Sequence, residues 1–149
     1  MIVSRKSRYA MRAAFELAKR YGHGPVKIAD IAEKQMIPPR FLEVILCQLK
    51  QGGYVDSMRG KDGGYMLKVE PAKLTVGTIL RFFHGLQEPV DCLGENPKES
   101  CALSINCVFM PLWEEMSRAI SGVCDSMTFQ DLIEREKECQ GKIALDYAI

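Results

Sequence analysis

Residues 26–67 contain the feature that most constrains the fold of this chain. Two short helical patterns, VKIADIAEKQ and PPRFLEVILCQLKQ, are separated only by Met36 and Ile37, and a glycine-rich hairpin pattern, GGYVDSMRGKDGGYML, follows them. Two helices joined by a tight turn and followed by a two-stranded ribbon are typical of a winged helix-turn-helix, which lays its second helix in the major groove of DNA. The pattern therefore predicts a mostly α-helical domain with a small β-wing that binds DNA.

The second helix of this pair carries the residues that we expect to face DNA. It begins at Pro38 and Pro39, because proline is tolerated in the first turn of a helix. Arg40 and Glu43 lie near its N-terminal end, where arginine can bind guanine and glutamate can accept a hydrogen bond from cytosine. A phosphate contact or a solvent-exposed charge is the alternative for each. A helical wheel separates an apolar face, which is Phe41, Leu42, Ile45, Leu46 and Leu49, from a DNA-facing set, which is Arg40, Glu43, Val44, Cys47 and Lys50.

The hairpin that follows is the predicted wing. Its strands, 54–58 and 65–68, flank a tip with the sequence RGKDGG, whose glycines permit positive φ and a close approach to phosphate. Arg59, Gly60 and Lys61 at this tip are the residues that we expect to reach a narrow, strongly negative minor groove. A nucleotide-binding loop is the alternative, but the glycines lack the Walker spacing and no helix follows the tip.

Helices are also predicted over about residues 4–21 and over 74–84, the latter capped by Thr75. The first of these has a buried stripe that consists of Ala10, Ala13, Ala14, Leu17, Ala18 and Tyr21. Together with the helix-turn-helix and the wing, these helices assign residues 1–84 to the DNA-binding domain.

Charge is distributed unevenly along the chain. Residues 1–68 contain 13 Lys and Arg against 6 Asp and Glu, a net charge of +7, whereas the remaining 81 residues contain 7 against 13, a net charge of −6. A basic N-terminal part suits a polyanion. No apolar run approaches the ~20 residues that a membrane span needs, and the N-terminal helical pattern has its charges spread through it, unlike a secretory signal. We expect a cytoplasmic protein with no membrane partner.

A segment with three cysteines follows over residues 85–107. It has no visible helical or strand period, and connections of this length are usually functional or disordered. Six cysteines in a chain without an export signal argue against a disulfide framework, because cytosolic thiols are kept reduced. Cys92, Cys101 and Cys107 fall within 16 residues, which favours metal binding. A zinc site, which needs a fourth ligand, a thiol–disulfide switch and three ordinary thiols are the alternatives.

Residues 108–149 form the third predicted segment. A long helix begins at Val108, with Pro111 in its first turn, and a second helix is predicted over about residues 129–138 after a capping box at Thr128. The long helix has an a/d seam, which is Phe109, Trp113, Met116, Ile120, Val123 and Met127. We expect this seam to pair two subunits about a two-fold axis, because a helix-turn-helix normally reads two half-sites. Packing of the seam on its own domain is the alternative.

These patterns together match a known family. In chain order, the matching motifs are Arg8-Tyr9-Ala10, Ile28-Ala29-Asp30-Ile31-Ala32, Phe41-Leu42-Glu43, Arg59-Gly60 with Gly63-Gly64-Tyr65, Thr75-Val76-Gly77, and the three cysteines before Leu112-Trp113. With these motifs the chain resembles the IscR-type regulators of the Rrf family, which include NsrR, RirA and CymR. The resemblance extends from Met1 to about Glu136.

The resemblance implies a homodimer whose long helices cross and which binds double-stranded DNA at a near-palindromic operator. It also implies an iron–sulfur cluster, with two or four irons, held by Cys92, Cys101 and Cys107. Arg59 would be the wing arginine, and Glu43 would be the acidic residue of the recognition helix.

Two departures from the family concern the cluster ligands. Eight residues separate Cys92 from Cys101, which is longer than is usual in the family, whereas the five before Cys107 fit. The fourth ligand is missing, because Met110 stands where cluster-binding relatives have His, and Arg8 stands where NsrR-like members have an acidic residue. Candidates for this ligand are His84, Glu95, Cys124, Cys139 and a group from the other subunit.

The leading interpretation is a homodimeric transcription regulator, a repressor or a dual regulator, whose DNA binding depends on the cluster and which senses iron–sulfur status, redox state or nitric oxide. The alternative is a clusterless, CymR-like regulator that responds to a protein partner or to thiol oxidation, for example in cysteine metabolism. An enzyme is not indicated, because His23 and His84 are far apart in sequence and no nucleophile–base–acid set is visible.

Overall fold

The computed structural model describes residues 3–84, 88–93 and 106–146. Within these ranges the chain forms six α-helices, a two-stranded antiparallel sheet and one 3₁₀ turn. The elements are α1 (Arg5–Lys19), α2 (Ile28–Gln35), α3 (Pro39–Gln51), β1 (Val55–Met58), β2 (Gly64–Leu67), α4 (Val76–Phe82), the 3₁₀ turn (Asp91–Leu93), α5 (Met110–Ser126) and α6 (Phe129–Asp146). This is the mostly α-helical winged helix-turn-helix with a long additional helix that the sequence predicts.

Helix α1 is at the centre of the fold, where it contacts α2, α3, α4, α6 and β2. Small residues on its buried stripe let these elements approach its axis closely. The predicted stripe is confirmed for Ala10, Ala13, Ala14, Leu17 and Ala18, which are all buried. The prediction for Tyr21 is wrong, because α1 ends at Lys19 and the side chain of Tyr21, beyond this end, is 41% exposed.

A left-handed residue joins the two helices of the helix-turn-helix. Met36 follows α2 with a φ of 50°, and the buried Ile37 leads the chain into α3. The buried residues of α3 are Leu42, Ile45, Leu46 and Leu49, as predicted. Phe41 was also predicted to be buried, but it is 56% exposed. It lies in the first turn of α3 at the edge of the apolar face, where its ring meets that of Tyr9 edge to face at 6.4 Å between centroids.

The wing is a two-stranded hairpin in which Val55 lies opposite Leu67. Tyr65 also exchanges two backbone hydrogen bonds of 2.8 Å with Val26, which precedes α2. A Cβ atom at Gly64 would lie 2.4 Å from the carbonyl oxygen of Val26, so this close approach requires glycine. The wing is therefore attached directly to the helix-turn-helix, and its strands lie where the sequence predicts them.

The caps predicted for the later helices are present. Thr75 accepts a hydrogen bond of 3.2 Å from the Thr78 backbone N–H at the start of α4. The Thr128 backbone N–H donates to the Asp131 carboxylate at 2.8 Å, and the Asp131 N–H donates to the Thr128 hydroxyl at 3.1 Å, which is the reciprocal pattern of a capping box. Phe129, the first residue of α6, is fully buried and anchors this helix against the core.

Helix α6 extends to Asp146, so the prediction that it ends at about residue 138 is wrong. The sequence CQGKIALD continues it with good helix formers, and the single Gly141 costs about 1 kcal/mol without stopping the helix. In the part of the chain that is described, no helix is both long enough and apolar enough to cross a membrane.

Candidate nucleic-acid interface

One face of α3 is open to solvent. Its exposed residues include all five of the predicted DNA-facing set, Arg40, Glu43, Val44, Cys47 and Lys50. The opposite face is buried against α1 and α2, so α3 presents this set outward on a rigid support. Val44 is 54% exposed, and an apolar side chain on such a face can contact the methyl group of thymine.

Lys50 has a second role that the sequence did not indicate. Its ammonium group donates a hydrogen bond to the hydroxyl of Ser57 and lies 4.0 Å from the Asp56 carboxylate. These contacts attach the last turn of α3 to β1. Lys50 therefore links α3 to the wing, and the nearby Asp56 carboxylate offsets part of its charge.

The wing tip has a shape that depends on glycine. Gly60 has a φ of +108°, which side chains rarely adopt, and its carbonyl accepts a hydrogen bond of 3.0 Å from the Gly63 N–H. A Cβ atom at Gly63 would lie 2.3 Å from the carbonyl oxygen of Met58. This tight turn leaves Arg59 and Lys61 exposed, and neither forms an ion pair within the described ranges.

A buried carboxylate behind the interface positions α2. Glu16 of α1 is 2% exposed, and it accepts hydrogen bonds of 3.0 Å from Gln35 and 3.3 Å from Lys34. Lys19 lies 3.0 Å from the same carboxylate and bonds Glu136 of α6 at 3.2 Å. Burial alone would raise the pKa of Glu16, but the hydrogen bond from Gln35 and the contacts with the two lysines outweigh it and lower the pKa. One ionised group thus joins α1 to α2.

The buried position of Glu16 was not predicted, although the sequence contains a signal for it. Glu16 lies one residue before Leu17 and three after Ala13, so it occupies the buried stripe of α1. A carboxylate at such a position must find partners, because an unpaired charge is costly to bury. Ser7 was missed in the same way: it is fully buried and donates a hydrogen bond of 3.3 Å to the Phe83 carbonyl.

The predicted metal ligands are only partly within the described ranges. Cys92 lies in the 3₁₀ turn and Cys107 lies just before α5, and both are half-buried. Cys101 and Glu95 fall outside the described residues. Among the residues that are described, no three His, Cys, Asp or Glu side chains are grouped in a way that could hold a metal ion.

The remaining candidates for a fourth ligand lie in different places. His84 is exposed after α4, Cys124 is half-buried near the end of α5, and Cys139 is exposed on α6. Burial, followed by the nearby Asp125 carboxylate, raises the pKa of the Cys124 thiol. This thiol is therefore less easily ionised for metal binding.

The predicted seam on α5 is largely uncovered by the described part of the chain. Phe109, Met116 and Val123 are 58%, 40% and 65% exposed. Trp113, Ile120 and Met127 are half-buried, and no residue of α5 is fully buried. The helix contacts α4, but most of its apolar face is open.

Relatives of the chain identify its family. The chain matches the Rrf2 family, described as an iron-dependent transcriptional regulator, over residues 3–135. It is 33% identical to the HTH-type transcriptional regulator IscR of Serratia proteamaculans over 136 residues, which are 91% of this chain and 81% of that protein. It is 34% identical to IscR of Aliivibrio salmonicida over 133 residues, which are 89% of this chain and 77% of that protein.

Solved structures of two regulators share this fold. T. potens IscR matches with a TM-score of 0.72 at 33% identity, over 94% of this chain and 91% of that one. CymR, the global cysteine regulator of B. subtilis, matches with a TM-score of 0.76 at 32% identity, over 91% of this chain and 98% of that one. The chain, whose relatives are regulators and not enzymes, is therefore a member of the Rrf2 family of winged helix-turn-helix transcriptional regulators.

Proposed function

We propose that this regulator binds duplex DNA as a homodimer, with α3 in the major groove and the wing tip at the adjacent minor groove. Arg40 and Glu43 would read base edges, and Arg59, Gly60 and Lys61 would contact the minor groove and its phosphates. The observation that carries this proposal is that the outer face of α3 and the wing tip are exposed together on one basic domain.

The proposed organisation has three parts. Residues 1–84 form the DNA-binding domain, residues 85–107 form a sensor segment, and residues 108–149 contain the dimerisation helix and the C-terminal helix. The sensor segment contacts the dimerisation helix directly, because the hydroxyl of Ser117 in α5 donates a hydrogen bond to the Glu88 carboxylate. A change in this segment can therefore affect α5.

The exposed face of α5 supports the homodimer. Met116 and Val123 are large exposed apolar residues of α5, and Phe109 directly precedes this helix. Exposed patches of this kind usually mark an interaction surface. A second copy offers an identical face, so two α5 helices can cover each other about a two-fold axis. The same axis would place two α3 helices on the two halves of a near-palindromic operator.

Iron–sulfur cluster binding by Cys92, Cys101 and Cys107 is the proposed sensory property. Thiolates are the usual ligands of such clusters, so the chemistry of this donor set fits, and the family description as iron-dependent agrees with it. A bound cluster would supply iron that reacts with oxygen or nitric oxide. Cys107 would couple the site to α5, because its carbonyl accepts a hydrogen bond of 3.2 Å from the Met110 N–H at the start of that helix.

A clusterless regulator is the second candidate. The structural similarity to CymR favours it, as does Met110, a residue that makes a poor fourth ligand. In this case a protein partner or thiol oxidation would control DNA binding, for example in response to cysteine metabolism.

Two measurements test the proposal. The first is selection of duplexes from a random library by the purified protein, followed by quantitative binding to the enriched sequence. Specific binding at nanomolar concentrations supports the DNA-binding role, and no enrichment contradicts it.

The second measurement is anaerobic purification with visible absorbance and iron and sulfide analysis. A coloured protein with about one cluster per subunit, lost in Cys92→Ala, Cys101→Ala and Cys107→Ala but retained in the control Cys139→Ala, supports the cluster. A colourless protein whose Cys101→Ala and Cys107→Ala variants regulate normally supports the CymR-like candidate.

A further inference from the structure

Helix α4 is fastened to the DNA-binding elements. The ring of Phe82 packs edge to face on Tyr54 at 5.2 Å between centroids, and a Cβ atom at Gly52 would lie 2.7 Å from it. Gly52 and Tyr54 connect α3 to β1, so this contact holds α4 to the recognition helix and the wing together. The hydrogen bond from Ser7 to the Phe83 carbonyl holds α4 to α1 as well. Helix α4 therefore moves with the DNA-binding surface.

Two backbone hydrogen bonds join the chain at the start of α4 to the short connection between α5 and α6. The Val76 N–H donates to the Met127 carbonyl at 2.8 Å, and the Phe129 N–H donates to the Leu74 carbonyl at 2.9 Å. Both bonds lie within a few residues of one another, so they join the two segments at one place and leave the direction of α5 to be fixed by side-chain contacts.

A bidentate ion pair adds a side-chain link between two helices, from Arg81 in the last turn of α4 to Asp125 in the last turn of α5. The Arg81 guanidinium donates to the Asp125 carboxylate through two hydrogen bonds of 2.6 and 2.7 Å. The backbone at Gly77 leaves room for it, since a Cβ atom there would lie 2.0 Å from the Asp125 carboxylate oxygen. Helix α5 has 17 residues and is about 25 Å long, so a small rotation at its last turn becomes a large displacement at its other end.

We propose that Arg81 and Asp125 are positioning residues that fix the direction of α5 relative to α3, and thereby the spacing of the two recognition helices in the dimer. This inference rests on the proposed function, because spacing matters only when two subunits bind one operator. The two side chains are 46% and 47% exposed, and exposed ion pairs add little to stability. Their removal should therefore alter DNA binding more than it alters folding.

Four variants test the pair on the duplex that the wild-type protein selects. Arg81→Asp and Asp125→Arg each break it, the double variant restores it with the charges exchanged, and Gly77→Ala displaces the Asp125 carboxylate without changing any charge. Gly77→Ala should also strengthen α4, because alanine favours a helix. The control is reversal of Glu70 and Lys73, an exposed ion pair of 2.8 Å that does not join two helices.

Three affinities are measured: for the selected duplex, for duplexes in which the spacing between the half-sites is changed by one or two base pairs, and for a single half-site. Thermal unfolding measures the stability of each variant. Each single variant should bind the selected duplex about tenfold more weakly and discriminate less between spacings, with single half-site affinity and unfolding temperature nearly unchanged. The double variant should recover the affinity and the preferred spacing. If a charge reversal prevents folding, Asp125→Asn removes the ion pair without reversing a charge and Arg81→Lys keeps the charge but loses the bidentate geometry, so both should still lower the affinity and the spacing preference.

The inference is overturned if the single variants and Gly77→Ala keep both the affinity and the spacing preference of the wild type, or if the double variant binds as weakly as the single ones. A wild-type protein that selects no duplex, or that binds single half-sites as well as paired ones, contradicts the proposed function instead. The two failures are thus distinguishable.

Discussion

Glu16 in α1 accepts a hydrogen bond of 3.0 Å from the Gln35 side chain at the end of α2. This bond and the 3.3 Å contact with Lys34 attach the first helix of the helix-turn-helix to the central helix of the domain. Because α3 packs on both α1 and α2, this buried charge contributes to the support on which α3 rests.

Replacement of Glu16 by Gln should lower the free energy of unfolding at pH 7 by about 1–3 kcal/mol, because a buried hydrogen-bonded charge is lost. The pKa of Glu16 is lowered in the folded state from its ordinary value of 4.5. The contribution of ionised Glu16 to the free energy of unfolding is therefore fully present above about pH 4.5. It is lost as the pH falls through the lower pKa that Glu16 has in the folded state. Denaturant unfolding between pH 7 and pH 3 should show the difference between variant and wild type shrinking in acid. A constant difference, or a similar effect from the exposed control Glu33→Gln, would contradict this assignment.

Replacement of Arg59 by Ala should weaken DNA binding and reduce its dependence on salt by about one unit of slope, because one cation at the exposed wing tip is removed. Binding at several salt concentrations measures both quantities. Lys68→Ala, which removes an exposed cation after the end of β2, is the matched control and should have a smaller effect. Equal behaviour of the two variants would show that the wing tip does not enter the groove.

Replacement of Arg40 or Glu43 by Ala should change which sequences are bound more than how tightly DNA is bound overall. Each side chain is exposed on the outer face of α3, and the loss of one base contact costs about 1–3 kcal/mol of discrimination. Library selection with each variant should relax the preference at particular base pairs. Unchanged preferences in both variants would place these residues against phosphates or solvent.

The sequence predicted most of the fold because strong periodic signals and turn residues agree with each other. Local chemistry explains the positions of the proline pair at the start of α3, of the glycines in the wing tip and of the Thr128 capping box. The prediction for Phe41 was wrong because a helical wheel shows only the direction of a side chain around the helix axis. In the first turn of a helix, a side chain that points toward a neighbouring helix can lie past the end of that helix and stay exposed.

The contacts between distant segments could not be predicted in the same way. The contacts of Lys50 with Ser57 and of Arg81 with Asp125 depend on how separate elements pack. In the sequence, each of these four residues looks like an ordinary polar surface residue. The buried position of Glu16 was detectable from the helical period, but its partners were not.

Replacement of Val123 by Glu should separate the subunits, because a charge would be placed on the exposed apolar face of α5. A charge buried in the apolar seam between two subunits should weaken association by about 2 kcal/mol or more. Sedimentation at several protein concentrations measures the change. Arg118→Glu, which introduces the same residue on the exposed side of α5 away from the seam, should leave association nearly unchanged. Similar behaviour of both variants would place the subunit contact elsewhere.

The mass of the complex between the protein and its selected duplex tests the central claim most directly. Light scattering during size-exclusion chromatography should give two chains on one duplex, with the Val123→Glu variant failing to form this complex at the same concentration. A single chain per duplex, or a purified protein that stays monomeric and binds no double-stranded DNA, would contradict the account.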